Sequence, residues 1–531
     1  MISHWVRGVV VGALGVVLFG CGALDTPYDA HLSTEPGKLG KPARAPYTIE
    51  NVLAQQPGEA PRTTLIVFAF SGGGKRSAAF GYGVLKAAHA LALANGTTLG
   101  DSIDIVTGVS GGSFTASAYA IKRDHLFDAD ALGPHGAYDD FLTDNLTLEI
   151  AGIYLLPWKW GWVVHNNVGT NDEMADVYEQ ALFEKPGTRD GYTFGDLAQP
   201  GRRPFLIVQA TDLDDHMPVT FTQNDFDLVC NDLSQYRVAR AVAASNGFPI
   251  LFSPIGVEMY SFEKPWAKDA RPDYCPEVFT RDDYKVGPDA TYDLDGELNQ
   301  FETGLRPADG AAVTGRKSYL HLADGGLADN LALHGLIDLW TRLDMQITQG
   351  AATCASDRLP ECAAVDKLGL RNIRNILIVS VDGEAEPTRE ESLNVPVISG
   401  VTRTVGTVTN AVIDNNNLQT LPEAYRVTQA LADGIGKLRC GAAYKTCRPY
   451  AVFTQVALAD WAARPARTKD EVDIATSSTG LSLATKNKDV LVQAGMEEFA
   501  TSASGGDIGC FLRALRGDAL PASCPSRVPG Q

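Results

Sequence analysis

Residues 103–112 read Ile103-Asp104-Ile105-Val106-Thr107-Gly108-Val109-Ser110-Gly111-Gly112, and the fold is read outward from how this stretch divides. The apolar run 103–107 has the length and β-branched content of a buried strand, and 113–122 suits a helix. Between them stands Gly108-Val109-Ser110-Gly111-Gly112, a Gly-x-Ser-x-Gly turn. In a strand-turn-helix setting this is a nucleophile elbow. Its serine sits on a tight, strained turn, and Gly108 and Gly112 allow neighbouring backbone to pass close by. In a chain with 52 glycines the pentapeptide alone carries little weight, so the setting carries the inference.

A second glycine-rich turn lies upstream, where the predicted strand 64–70 runs into Ser71-Gly72-Gly73-Gly74-Lys75-Arg76-Ser77 and a helix. Glycines here present free N–H groups to an anion at the positive end of the helix. Ala69 and Arg76 break the spacing of a P-loop, and Ser77 replaces the third glycine of a dinucleotide fingerprint. What remains is an oxyanion hole, whose N–H groups stabilise charge developing on a carbonyl oxygen.

Further apolar runs at 204–210, 319–323 and 375–381 also lack polar alternation, as expected of strands covered on both faces. Helical patterns at 75–94, 235–245 and 328–343 lie between them. Such alternation predicts an α/β fold with a mostly parallel central sheet covered by helices on both faces. Residues 255–316, rich in Pro, Gly, Asp and aromatics, read as an insertion. Residues 346–531 read as a disulfide-bearing C-terminal part, continuing the same domain or decorating it.

Directly after the strand 319–323 comes Asp324-Gly325-Gly326. A carboxylate at a strand's C-terminal end faces the crevice where α/β enzymes bind ligands, although an Asp here also suits a helix cap. The three blocks Gly72-Gly73-Gly74-Lys75-Arg76, Gly108-Val109-Ser110-Gly111-Gly112 and Asp324-Gly325-Gly326, in this order, resemble the patatin-like phospholipase family. The stretch from Ala239 to Ser245, with Phe248-Pro249 and Phe252, is similar to the helix and turn before that family's last block. The resemblance covers roughly residues 63–345, and Ser77 stands where the family usually has glycine. It implies a patatin-like fold and a lipid acyl hydrolase of phospholipase A or lysophospholipase type. Ser110 would be the nucleophile and Asp324 its sole partner. Gly72, Gly73 and Gly74 would form the oxyanion hole, with Arg76 supporting the loop or the anion. Phospholipid or another acyl lipid is the implied substrate, and no cofactor or metal is implied. Two other readings stay open: an esterase or thioesterase for small soluble esters, and a catalytically silent scaffold.

A Ser-Asp-His triad is the competing arrangement, because His321 and His334 flank Asp324. Trp158, Trp160 and Trp162 would share one face of an extended segment, either packed on the core or placed at a membrane interface. Residues 291–302 partly match a calcium loop, but Thr291 holds the first ligand position, and a solvated acidic loop is the reading adopted.

The chain has 531 residues, 45% hydrophobic and 21% charged, which excludes a disordered or multi-span membrane protein. Its net charge of −19 argues against nucleic acid and against electrostatic docking on anionic lipid. Residues 1–20 carry Arg7 and an apolar run too short to span a bilayer, the form of a signal peptide. The run ends in Leu18-Phe19-Gly20-Cys21, which resembles the lipobox of bacterial lipoproteins and implies lipidation at Cys21. Gly22 in place of Asp implies an outer-membrane anchor in the cell envelope. Proline-rich residues 21–62 read as a tether to a catalytic domain at 63–345. Of nine cysteines, Cys21 taken by lipid leaves eight, an even number in an exported chain. Short separations favour Cys354–Cys362, Cys440–Cys447 and Cys510–Cys524, leaving Cys230–Cys275.

Overall fold

Seven consecutive residues, Thr64–Phe70, form β1, and six of them are fully enclosed. The computed structural model describes residues 47–55, 57–133, 136–146, 169–228, 231–249, 252–258, 319–349, 367–384, 401–477, 480 and 482–525. On one side β1 pairs in parallel with β2 (Ile105–Val109), which pairs in parallel with β3 (Phe205–Asp212). On the other side β1 pairs in parallel with β7 (Asn375–Asp382), and β7 with β8 (Tyr450–Ala457). The remaining strands are antiparallel. β4 (Met217–Thr220) and β6 (Tyr319–Ala323) both pair with β3, and β5 (Ile255–Glu258) pairs with β6.

The helices follow from the connections. α2 (Gly74–Ala90) joins β1 to β2, and α3 (Gly111–Lys122) follows β2. α8 (Val401–Cys440) joins β7 to β8. Parallel crossovers are right-handed. Because β1→β2 and β7→β8 run in opposite directions across the sheet, α2 and α8 cover opposite faces. α9 (Thr485–Gly505) lies along α2 and carries α10 (Asp507–Arg516), whereas α7 (His334–Gln349) packs against α8. The adjacent strands β1 and β7 therefore send their chains to opposite faces, which opens a crevice at their C-terminal ends.

The structure shifts several predicted boundaries. β2 starts two residues later than expected, so Gly108 and Val109 belong to the strand. The helix expected from 328 starts at His334, after a 3-10 turn over Gly325–Leu327. Of α5 (Thr170–Tyr178) and α6 (Val238–Ser245), the second is the helix expected over 235–245. Ile255–Glu258, read as the start of the insertion, form an edge strand because Ile255 and Val257 are buried. β8, which the sequence reading left unassigned, completes the sheet.

The tether is shorter than its composition suggested. Tyr47 is fully buried, stacked on Phe205, and its hydroxyl bonds both Leu206 N–H and Leu206 O. The short helix α1 (Ile49–Val52) follows, and Arg62 pairs with the buried Asp104 at 3.3 Å. Apolar residues at 47, 49, 52 and 53 fix this segment to the body, and the nearby prolines outweighed them in the reading of composition. Two predicted disulfides are present, Cys440–Cys447 and Cys510–Cys524. The other two pairs, the leader with Cys21, Trp158, Trp160 and Trp162, and the loop 291–302 lie outside the described residues.

Candidate active site

Ser110 stands between β2 and α3 with φ 46° and ψ −125°, a conformation that costs a non-glycine residue about 1–3 kcal/mol. Three contacts hold it there. Its N–H donates to Ser245 Oγ at 2.8 Å, its carbonyl accepts from Ser113 Oγ at 2.6 Å, and Asn246 Nδ2 donates to Ser113 Oγ at 3.0 Å. A methyl group at position 112 would lie 2.3 Å from Phe70 O, and one at 111 would lie 2.0 Å from Gly74 O. Only glycine lets the elbow press against the upstream loop this closely. Gly108, inside β2, brings α3 equally near, since a methyl there would meet Ala116 Cβ at 2.8 Å.

Asp324 follows β6, and its two carboxylate oxygens have different partners. Its Oδ1 accepts the Gly326 N–H at 2.9 Å, capping the turn, and its Oδ2 accepts the Ser110 hydroxyl at 3.0 Å. Its own N–H donates to Gly247 O at 3.0 Å, and its carbonyl accepts from Thr211 Oγ1 at 2.8 Å. Burial pushes the Asp324 carboxyl up to about 6, against the pull of the bonds from Gly326 and Ser110. Its charge also raises the pKa of Tyr178, though burial contributes most there.

The glycine-rich loop divides its duties unevenly. Gly72 is not available to an oxyanion, because its N–H donates to Asn330 O at 2.8 Å. The Lys75 N–H is likewise taken, by Gly480 O at 3.1 Å. Among the described residues the N–H groups of Gly73 and Gly74 meet no acceptor, as expected at an open helix N-terminus. Gly73, with φ 126°, aims this turn. Arg76 supports the loop: its Nε donates to Gly383 O at 3.1 Å and its Nη1 to Ser477 O. Ser77, in the family's glycine position, packs closely on Gly383. A methyl at 383 would lie 2.5 Å from Ser77 Cα, and Ser77 Oγ donates to Ser71 O at 2.6 Å. Lys75 turns away and donates to Phe141 O and Asp144 O, both at 2.5 Å, at the end of α4 (Tyr138–Thr143).

The two histidines have other partners. His321 Nδ1 lies 3.1 Å from Asp214 Oδ2 at a half-exposed position, and His334 Nε2 lies 3.7 Å from Asp338 Oδ1. Sequence reasoning gave no role to Ser245, Asn246 and Gly247, although it singled out their helix and turn. It missed Asn330 and Glu384 altogether, since a lone Asn or Glu carries no motif. Among the described residues no cluster of ligating side chains could hold a metal ion.

A family model matches the sequence that builds this architecture. The family model "Patatin-like phospholipase" matches residues 68–337, just over half of the chain, and the chain belongs to that family. No curated protein matches it in sequence. Among solved structures it is similar to human GIVD cytosolic phospholipase A2, at 12% identity and a TM-score of 0.41. That similarity covers 88% of this chain and 62% of the human one. The chain thus spans about three fifths of the human protein's length. It is also similar to ExoU of the Pseudomonas aeruginosa type III secretion system, solved with SpcU. That match has 13% identity and a TM-score of 0.21, covering 93% of this chain and 99% of that one.

Proposed function

We propose that this member of the patatin-like phospholipase family is a lipid acyl hydrolase that cleaves acyl esters with Ser110 and Asp324 through an acyl-enzyme. One observation carries the reading: the Ser110 hydroxyl donates to Asp324 Oδ2 at 3.0 Å, beside a helix N-terminus with two open N–H groups. Asp324 accepts the Ser110 proton as Oγ attacks the ester carbonyl carbon. The Gly73 and Gly74 N–H groups stabilise the tetrahedral oxyanion. Its collapse expels the alcohol, which takes the proton from Asp324, and water repeats the sequence to release the fatty acid and restore Ser110. A placed base contributes about 10²–10⁴-fold and an oxyanion donor about 10²–10³-fold. The base works only when ionised, so the rate rises with pH through about 6, where burial sets the Asp324 carboxyl. A lipid on Cys21, with the body held at the outer membrane, would bring this acidic protein to its substrate.

The test is product analysis on phospholipid vesicles and on a chain-length series of soluble esters, with wild type and Ser110→Ala. Free fatty acid should appear only with wild type, and a fluorophosphonate probe should label wild type alone. Probe labelling that survives in Ser110→Ala would remove the nucleophile assignment. A preference for the shortest soluble esters would turn the reading towards an esterase.

A further inference from the structure

We propose that Glu384 is a positioning residue for the Ser110–Asp324 pair, acting through Asn330; the inference rests on the reading of that pair given above. Glu384 lies just beyond the C-terminal end of β7, beside the end of β1, where the crevice opens. Its Oε2 accepts Asn330 Nδ2 at 3.1 Å and Asn417 Nδ2 of α8 at 3.0 Å. Asn330 is only 4% exposed and stands between the two loops of the site. Its carbonyl takes the Gly72 N–H at 2.8 Å. Its Oδ1 fills the space where a methyl on Gly72 would lie, 2.1 Å away, and approaches that of Gly326 at 2.9 Å. Gly326 supplies the N–H that holds Asp324 Oδ1, and a methyl on Gly72 would lie 3.3 Å from Ser110 Cβ. The Asn330 side chain is thus a spacer in contact with both halves of the site.

An amide can turn about its last torsion and exchange its oxygen and nitrogen at little cost. An ionised carboxylate only accepts. With Glu384 on one side, the Asn330 NH₂ must face the carboxylate and Oδ1 must face the glycines, in one orientation. Arg76, whose pKa burial lowers against the smaller, raising effect of the Glu384 charge, holds the same loop from the other end through Gly383 O. Both Glu384 and Asn417 lie beyond the matched residues 68–337, so the chain's last third supplies this restraint.

Three variants in the full chain test the proposal. Glu384→Met keeps the volume and removes the acceptor, Glu384→Asp keeps the charge but withdraws it by one methylene, and Glu384→Gln keeps an acceptor oxygen. Small misplacement of reacting groups costs up to about 10²-fold, so Met and Asp should lower kcat by about tenfold to a hundredfold while KM stays within about twofold. Gln keeps an acceptor but adds an NH₂ that lets the two amides turn together, so its kcat should fall between those of wild type and of the Met and Asp variants. If Glu384→Asp keeps the wild-type kcat, or KM rises in place of a fall in kcat, the proposal is overturned. Wild type that neither turns over ester nor takes the fluorophosphonate probe would instead sink the Ser110–Asp324 reading beneath it.

Discussion

Asp324, the proposed base, is buried, and that placement works against folding. Its carboxyl stands at about 6 in the folded protein against 3.8 as the ordinary value. A raised folded-state pKa means that the folded state binds the proton more tightly, so the stabilising effect is full below about pH 4 and lost as pH rises through about 6. Two pKa units correspond to about 3 kcal/mol. Asp324→Asn should therefore be inactive yet more stable than wild type at pH 8, by up to about 3 kcal/mol, with the difference shrinking towards pH 4. Urea unfolding at both values measures this; a difference independent of pH would show that burial does not set the Asp324 ionisation. At the same scale, Ser110 was legible because glycines on both sides announce a strained turn. Ser245 was not: a serine at the end of an alanine-rich helix reveals nothing until the fold brings its Oγ to the Ser110 N–H.

Elements with a uniform apolar run were legible almost to the residue. β1 and β6 have the predicted bounds, and β7 runs one residue longer. The segment 47–62 was misread because its composition is that of a linker while four of its residues are those of a core. Tyr47 packs between Phe194 and Phe205, at ring distances of 5.0 and 4.9 Å, and makes two bonds to Leu206 of β3. Replacing a buried aromatic by alanine typically costs about 3–5 kcal/mol. Tyr47→Ala should destabilise the protein by that amount and make residues 47–62 open to proteolysis before global unfolding. If the unfolding midpoint is unchanged, this segment does not belong to the cooperative core.

For the whole molecule, the acid excess and the proposed anchor make one argument. Removal of the proposed leader, residues 1–20, would take Arg7 with it and leave a net charge of −20, which anionic headgroups repel. Among the described residues no helix is long and apolar enough to cross a membrane. A lipid at Cys21 is the proposed remedy. Cys21→Ser should abolish metabolic labelling with a fatty acid and move the protein from the membrane to the soluble fraction. Turnover of a soluble ester should be unchanged, since residues 47–525 carry the site. Membrane recovery unaffected by Cys21→Ser would reject the anchor.

The sequence by itself determined the glycine turns, the order of the three blocks and the parallel core. These follow from local requirements: a tight turn needs glycine, and a buried strand needs an unbroken apolar run. Only the tertiary structure decided that Ser110 and Asp324, distant in the chain, meet at 3.0 Å. It alone showed that Gly72 gives its N–H to Asn330, and that β7, from the last third of the chain, lies beside β1. Hydrogen-bond partners chosen across the sheet depend on how strands are ordered in space, and no local pattern records that order.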